Sequence, residues 1–397
     1  MNTRSFVQVA ALLLFSSFRL SAAPEPEKFF PVMPWNYVPD DKAVVQKIKD
    51  CGFTVAGFVA PDTLKTIHAA GLKGIVQDPR IYNYDWTKVD PNTARSNVVA
   101  AVTPLAKNPA VYGFYLRDEP PATYFPGLKS VASVVHELAP DKWAYINLFP
   151  NYAENWQLGA SSYEEYLEKF VETCHPAQLS YDHYGLMDDG SLREGYWRNL
   201  EQMRVASKKH NIPFWNIVLS VAHFNYREPT FADLRFEVYS SLASGARGLA
   251  YFTYFAPQVG NYRGAPIDQF GNPTPTWNWM QNVNLQIQKL APTLLDLTSD
   301  DVYHFGSVPN GCHAASTNSL VANIGPDFAV GDFTHTNGTR YVMLVNKNVS
   351  KSAVGSPEFR KAPKALKIVS PYSGTLIPFE GEQVWIAPGA GALLKLE

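Results

Sequence analysis

Between residues 29 and 297, eight short apolar or aromatic runs alternate with amphipathic stretches of helical period, and this alternation constrains the fold more than any other feature. Each run with its helical stretch predicts a β-strand followed by an α-helix, and repeated units of this kind form a parallel sheet. Eight such units predict a (β/α)8 TIM barrel, a fold that typically takes about 250 residues. The predicted strands cover residues 30–35, 53–59, 73–77, 111–116, 143–149, 178–184, 214–221 and 248–255.

Capping residues mark several of the predicted helices. The first helix is predicted over residues 40–51, with Asp40 or Asp41 as its N-cap. Later in the chain, Thr230 and Asp233 have the spacing of a capping box, in which each side chain bonds to the backbone of the other residue. We therefore expect a helix to begin directly after Thr230.

Beyond about residue 301 the pattern changes to short alternating runs separated by Gly, Asn and Pro, with no helical period. The dipeptide Asn337-Gly338 joins two of these runs and is typical of a β-hairpin turn. The chain is thus predicted to be an α/β protein in which the barrel is followed by a small all-β sandwich domain. The predicted divisions are a signal peptide at residues 1–23, the barrel at 24–298 and the sandwich at 299–397.

The first 23 residues have the features of a secretory leader: Arg4, an apolar stretch over residues 6–15, and small residues before Ala23. We expect a secreted or periplasmic protein. An uncleaved N-terminal anchor is the alternative, which Arg19 and the shortness of the apolar run disfavour. No later stretch approaches the roughly 20 apolar residues of a membrane span.

The composition excludes several classes of partner. A net charge of −2 gives no electrostatic basis for binding nucleic acid. The three cysteines are far apart and lack the spacing of metal ligands. No Gly-x-Ser-x-Gly elbow, phosphate-binding glycine loop or dinucleotide fingerprint occurs. No cofactor and no metal are expected.

The active site of such a barrel gathers at the C-terminal ends of the strands, and the fourth strand has the strongest signal there. Its apolar residues run directly into Arg117-Asp118-Glu119, and Pro120 then breaks the strand. A glycosidase needs one carboxylic acid to protonate the leaving oxygen and a second carboxylate roughly 5–10 Å away. Glu119 is the first candidate, since Asp118 would raise its pKa while Arg117 would keep one carboxylate ionised. The alternative is a structural salt bridge between Arg117 and Asp118.

Asp182 is the best candidate for the second carboxylate, because its strand ends two places round the barrel from Glu119. Its alternative role is substrate binding. Glu228, in the loop after strand seven, is a weaker candidate that could reach inward; the alternative is a surface salt bridge with Arg227 or a role at the helix entrance. The candidates for substrate contact are the other polar and aromatic residues at strand ends, namely Trp35, Asp78, Arg117, Asp118, Asn147, His183, Tyr184, Ser220, His223, Tyr251 and Tyr254. For Asp78, opening the turn before Pro79 is the alternative, and for each aromatic candidate the alternative is a packing role.

At Asp118-Glu119-Pro120 the chain resembles the clan-A glycoside hydrolases, a barrel superfamily that includes β-galactosidases and cellulases. Their acid/base glutamate follows Asn at the end of strand four, commonly as Asn-Glu-Pro. The resemblance implies that Glu119 is the acid/base and that carbohydrate is the substrate. Residues 229–254 also resemble the last turns of bacterial barrels in this superfamily.

The chain departs from the clan pattern at strand seven, where the family's nucleophilic glutamate has no counterpart in residues 215–223. Either Asp182 or Glu228 replaces it, or catalysis has been lost. Working acids on strands four and six resemble the layout of α-galactosidase and α-glucosidase barrels, which would make the strand-four acid the nucleophile and Asp182 the acid/base.

Two rival functions remain open at this stage. The first is a carbohydrate-binding barrel without catalysis. The second is a metal-dependent esterase or phosphodiesterase that uses Asp78, Asp182 and His183.

Overall fold

The computed structural model of the protein describes residues 29–381 and 384–397. The predicted leader lies outside the described residues. Each of the eight predicted strands is present, and each is followed by helical structure. The barrel strands are β1 (Val32–Pro34), β2 (Val55–Val59), β3 (Lys73–Val76), β4 (Val111–Asp118), β5 (Trp143–Asn147), β6 (Leu179–Asp182), β7 (Phe214–Leu219) and β8 (Gly248–Phe252).

The eight strands form a closed parallel barrel. Two four-stranded sheets have the orders β2-β3-β4-β5 and β1-β8-β7-β6. Parallel bridges from Tyr37 to Phe58 and from Leu148 to Tyr181 join the two sheets at both seams. All eight strands therefore present their C-terminal ends at one mouth.

Helices surround the barrel, and both predicted caps are confirmed. The Asp41 side chain accepts hydrogen bonds from the backbone N–H groups at the start of the first helix. Thr230 and Asp233 form the reciprocal capping box. The helices are α1 (Lys42–Asp50), α2 (Leu64–Ala69), α3 (Pro79–Tyr82), α4 (Pro91–Val102), α5 (Phe125–Leu138), α6 (Asn155–Leu158), α7 (Tyr163–Cys174), α8 (Tyr196–His210), α9 (Phe231–Ala243) and α10 (Pro275–Leu294), with single 3-10 turns at Pro61–Thr63 and Ala122–Tyr124.

The C-terminal part is an all-β domain. Its strands are β9 (Leu297–His304), β10 (Val321–Asn323), β11 (Phe328–His335), β12 (Arg340–Asn346), β13 (Ala353–Val354), β14 (Glu358–Phe359), β15 (Leu366–Val369), β16 (Leu376–Pro378), β17 (Trp385–Ile386) and β18 (Gly391–Leu396). A six-stranded antiparallel sheet, in the order β16-β15-β18-β12-β11-β9, packs against two-stranded ribbons, and Asn337-Gly338 forms the predicted hairpin turn between β11 and β12. The predicted fold class, a TIM barrel followed by a small β-sandwich, is confirmed.

The sheet of the C-terminal domain packs directly on the barrel. Ala329, Phe333 and Met343 of this sheet belong to the same buried apolar cluster as Leu242 of α9. A separate cluster fills the interior of the C-terminal domain. Within the described part of the chain, no helix has the length and apolar character needed to cross a membrane.

Candidate active site

A break in the pairing of β4 with β5 turns Asp118 into the barrel. The register between the two strands shifts by one residue between Tyr115 and Arg117. Successive residues of a strand face opposite sides, so a shift of this kind reverses which residues face inward. Asp118 therefore lies beside Asn147, while Arg117 is exposed, with its guanidinium 5.7 Å from the ring centre of Tyr124.

Glu119 follows this irregularity with an unusual backbone. Its φ is 43°, in the left-handed region that is unfavourable for residues other than glycine. The conformation is held by a 2.8 Å hydrogen bond from the Glu119 N–H to the carbonyl oxygen of Asn147. The side chain is half-buried, and burial together with the charge of Asp118 raises the pKa of Glu119 to about 7.

Asn147 links the two aspartates at the mouth. Its side-chain Nδ2 donates to Asp118 Oδ1 at 3.1 Å and to Asp182 Oδ1 at 2.7 Å. Its Oδ1 accepts a hydrogen bond from Ser180 Oγ at 2.9 Å, and Ser180 in turn lies 3.1 Å from the hydroxyl of Tyr145. Because Ser180 donates to the amide oxygen, the amide nitrogen is left to face the two carboxylates.

Asp182 is the most deeply placed acid of this group. Burial raises its pKa well above the ordinary value, and the negative charges of Glu119 and Asp118 raise it further. Burial also raises the pKa of Asp118, and this outweighs the lowering by Asn147 and by the charge of Arg117. Acids that repel each other in a desolvated site do not all ionise near neutral pH, so the cluster keeps a proton.

Two of the predicted aromatic residues line this mouth. Trp35 packs edge-on against Phe58 and lies 5.5 Å from Tyr145, at the top of the aromatic barrel core. Tyr184 packs against Phe252 at 5.4 Å. Burial and the negative charges of Asp182, Asp118 and Glu119 raise the pKa of Tyr184 well above its ordinary value.

The two predicted histidines lie beside the acids rather than among them. His183 follows Asp182 and faces the opposite side of β6, where its Nδ1 lies 3.1 Å from Asn199 Oδ1. That oxygen also accepts the N–H of Asn151, so Nδ1 of His183 is the protonated nitrogen. Burial lowers the pKa of His183 to about 3, which makes the ring neutral. His223 is also buried, and its ring is 5.8 Å from that of Tyr184.

Tyr251 and Tyr254 do not lie at the mouth, contrary to the sequence prediction. On β8 it is Ala250 that faces the barrel interior, so Tyr251 points outward. The Tyr251 hydroxyl donates to Asn284 of α10, and the Tyr254 hydroxyl accepts a hydrogen bond from Trp277 of the same helix. Both residues fasten α10 to the barrel.

Asp78 and Ser220 also have structural partners in place of a substrate. Asp78 caps α3 through the N–H of Arg80 and forms a 2.6 Å ion pair with the same residue. This is the turn-opening role considered as the alternative. The Ser220 hydroxyl is fully buried and donates to the carbonyl oxygen of Thr253.

Strand β7 offers no acid to the barrel interior, where Trp215 and Ile217 belong to the apolar core. Glu228 lies at the surface and pairs with Arg263 at 3.0 Å, and not with Arg227 as predicted. Glu237 of α9 approaches β7 from outside the barrel, accepts the N–H of Leu219 and is fully buried.

Sequence reasoning missed four residues that contribute to the mouth. Tyr145 and Ser180 stand two residues before Asn147 and Asp182, so strict alternation along each strand would have identified them. Tyr152 and Arg193 come from loops, and their sequence carries no comparable signal. The Arg193 guanidinium lies 4.3 Å from the ring centre of Tyr152, and its Nε donates to the carbonyl oxygen of Tyr184.

The metal site considered from the sequence is not assembled. Within residues 29–381 and 384–397, no three His, Cys, Asp or Glu side chains are grouped so that they would hold a metal ion. Asp78 is paired with Arg80, and His183 is bonded to Asn199.

Comparison with solved structures shows the same architecture in glycoside hydrolases. The chain is similar to a β-galactosidase from Bacillus circulans sp. alkalophilus, with a TM-score of 0.63 and 9% identity over 93% of this chain and 99% of the other. It is also similar to a glycoside hydrolase of family 5 from Bacteroides vulgatus ATCC 8482, with a TM-score of 0.57 and 13% identity over 93% and 90% of the two chains.

A third similar structure matches over only part of each chain. The β-galactosidase from the psychrophilic Marinomonas ef1 aligns with a TM-score of 0.51 and 11% identity, over 67% of this chain and only 62% of its own length. No protein-family model and no curated protein sequence matches the chain. The protein therefore has the fold of the clan-A glycoside hydrolases, a barrel followed by a β domain.

Proposed function

We propose that the protein is a glycosidase that hydrolyses an O-glycosidic bond of an oligosaccharide or glycan. The observation that carries this proposal is that the Asn147 side-chain amide bonds to both Asp118 and Asp182 at the mouth of the barrel, while the Glu119 N–H bonds to the Asn147 carbonyl oxygen beside them. Hydrolysis of a glycoside requires one acid that holds a proton and one carboxylate that is ionised. A group of mutually repelling acids that retains a proton near neutral pH meets this requirement.

In this proposal Glu119 is the acid/base and Asp182 is the second carboxylate. Glu119 is half-exposed, so it reaches both a leaving oxygen and incoming water. Asp182 is 5% exposed, and the hydrogen bond from Asn147 favours its ionised form when Glu119 is protonated. Glu228 is excluded from this role by its position in a surface ion pair.

The test is turnover of 4-nitrophenyl glycosides of both anomers, beginning with β-galactosides because two of the similar structures are β-galactosidases. We expect Glu119→Gln and Asp182→Asn each to lower kcat by about 10²–10⁴-fold, the contribution typical of acid–base catalysis. Glu228→Gln is the matched control and should keep the wild-type kcat. Turnover that survives both substitutions would contradict the assignment.

Substrates with different leaving groups show which of Glu119 and Asp182 is the acid/base. If Glu119 protonates the leaving oxygen, Glu119→Gln should lose much less activity on a 2,4-dinitrophenyl glycoside, whose leaving group needs no proton. If Asp182→Asn shows that behaviour instead, the roles are reversed, as in the α-galactosidase layout.

A carbohydrate-binding barrel without catalysis is the second candidate, and the apolar interior face of β7 is the observation that favours it. It predicts that wild-type protein binds an oligosaccharide in calorimetry but cleaves no member of the panel. In that case Glu119→Gln should leave the affinity unchanged.

We also propose that the predicted leader exports the protein. N-terminal sequencing of the protein recovered from the periplasm or medium should begin near Ala23 or Pro24. A retained Met1 in that fraction would contradict cleavage.

A further inference from the structure

The loop between β7 and α9 presents an aromatic side chain to solvent in a conformation that is costly to form. Phe224 has a φ of 47°, which non-glycine residues rarely adopt, and its side chain is 73% exposed. A strained backbone persists only where surrounding groups hold it, and such positions cluster at ligand-binding sites.

One side chain holds this conformation from both directions. The Phe224 N–H donates to Asn261 Oδ1 at 2.8 Å, and Asn261 Nδ2 donates to the Phe224 carbonyl oxygen at 2.8 Å. Asn261 belongs to the loop that follows β8, so the Phe224 backbone is tied to a second loop of the barrel mouth.

The Phe224 ring continues an aromatic wall that begins at the barrel mouth. Its neighbour His223 lies 4.9 Å from it and stacks on Tyr262 at 5.3 Å with an interplanar angle of 16°. His223 also contacts Tyr184, which packs against the aromatic barrel-core cluster that includes Tyr145. The wall therefore leads from the barrel mouth outward to Phe224.

We propose that Phe224 is a binding platform for a sugar ring remote from the cleaved bond, so that the preferred substrate is an oligosaccharide rather than a simple glycoside. This inference rests on the proposed glycosidase function and names its substrate class. An exposed flat ring fits the apolar face of a sugar, and the two hydrogen bonds to Asn261 hold the backbone that carries it before binding. The neighbours Asn225, Arg227 and Glu228 are polar, which disfavours a broad apolar protein interface.

The kinetic test compares a short and a long substrate. We expect Phe224→Ala to lower kcat/KM about 3- to 10-fold on a tetrasaccharide of the cleaved sugar, the effect of losing one aromatic contact. Turnover of the corresponding 4-nitrophenyl monosaccharide glycoside should not change. Phe224→Tyr should restore the wild-type value, and Asn261→Ala should reproduce the loss in part.

Tyr372→Ala is the matched control, because Tyr372 is 75% exposed on the C-terminal domain. It should leave both substrates unaffected. Equal losses on the short and long substrates, or no loss on either, would overturn the platform. A change from dimer to monomer on Phe224→Ala, measured by ultracentrifugation, would also overturn it, because a second copy of the chain would then cover this ring.

Binding separates this proposal from the proposed function. Calorimetry with cellotetraose, β-1,4-galactotetraose and the two monosaccharides requires no turnover. If Phe224→Ala binds the tetrasaccharide more weakly than wild type does, and wild type cleaves no substrate, the platform is supported and the glycosidase function is refuted. Turnover without any dependence on chain length would refute the platform alone.

Discussion

Glu119 combines a raised pKa with a strained backbone, and the raised pKa affects stability as well as chemistry. In the unfolded chain the Glu119 carboxyl has its ordinary pKa of 4.5, whereas in the folded chain its pKa is about 7. Protonated Glu119 therefore makes its full contribution to the free energy of unfolding below pH 4.5, and this contribution is lost as the pH rises to about 7. A neutral side chain at this position avoids the loss.

We therefore expect Glu119→Gln to be more stable than wild type above pH 7, by on the order of 2 kcal/mol, and nearly equal to it below pH 4.5. Urea denaturation at several pH values measures the difference. A constant difference across this range would show that Glu119 is not the group that holds the proton.

Asn147 is the residue on which the aspartate pair depends. Asn147→Ala removes the donor from both Asp118 and Asp182, so the pKa of each should rise. Because Asp182 is the carboxylate that must be ionised, the acid limb of kcat/KM should move to higher pH. Loss of about 1–3 kcal/mol of stability is expected for the unpaired groups. Asn216→Ala is the matched control, because Asn216 is equally buried but donates to Ser241 outside the barrel. Asn216→Ala should lower the free energy of unfolding without shifting the pH profile of kcat/KM.

At the scale of elements, the strand ends carry side chains with two different tasks. Some face the interior and meet at the mouth, whereas others hold the following helix in place. Asp78 shows the second task, since it caps α3 and pairs with Arg80.

We expect Asp78→Ala to cost about 1–2 kcal/mol of stability, the usual contribution of an N-cap, and to leave kcat/KM on a 4-nitrophenyl glycoside unchanged. The side-chain hydrogen bond from Arg80 lowers the pKa of Asp78, so its contribution is present above the unfolded value and is lost as the pH falls through the folded one. Wild type and Asp78→Asn should therefore converge in acid. If Asp78→Ala instead lost activity and kept its stability, Asp78 would be a substrate contact, as the sequence predicted.

The whole molecule behaves as one packed body because α9 lies against the C-terminal sheet. A Cβ on Gly331 of β11 would stand 2.2 Å from the carbonyl oxygen of Ala243, and one on Gly389 would stand 2.1 Å from that of Ala232. The backbones of the sheet and the helix are therefore in direct contact, and the barrel and the sheet share one apolar cluster.

Calorimetry should accordingly show a single unfolding transition for the full chain. Gly331→Ala should shift that whole transition to lower temperature, because it forces apart two elements of different domains. Gly355→Ala, which meets Ile386 within the C-terminal domain, is the control for damage confined to that domain. Two resolved transitions in wild type would show that the domains unfold independently.

The order of strands and helices could be read from the amino-acid sequence, because periodicity and capping are local properties of the chain. Those local signals predicted eight strands, the caps at Asp41 and Thr230, and the change to a β domain. They also placed Glu119 and Asp182 at strand ends that converge, since all strands of a barrel end at one mouth.

Which of the strand-end residues face one another depends on the folded barrel. The irregular pairing of β4 turned Asp118 inward, and outward orientation removed Tyr251 from the mouth. Both outcomes depend on register between neighbouring strands, which is set by long-range packing and leaves no mark in the local sequence. The link from Asn147 to two aspartates on different strands arises for the same reason: a closed barrel brings together residues that are far apart along the chain.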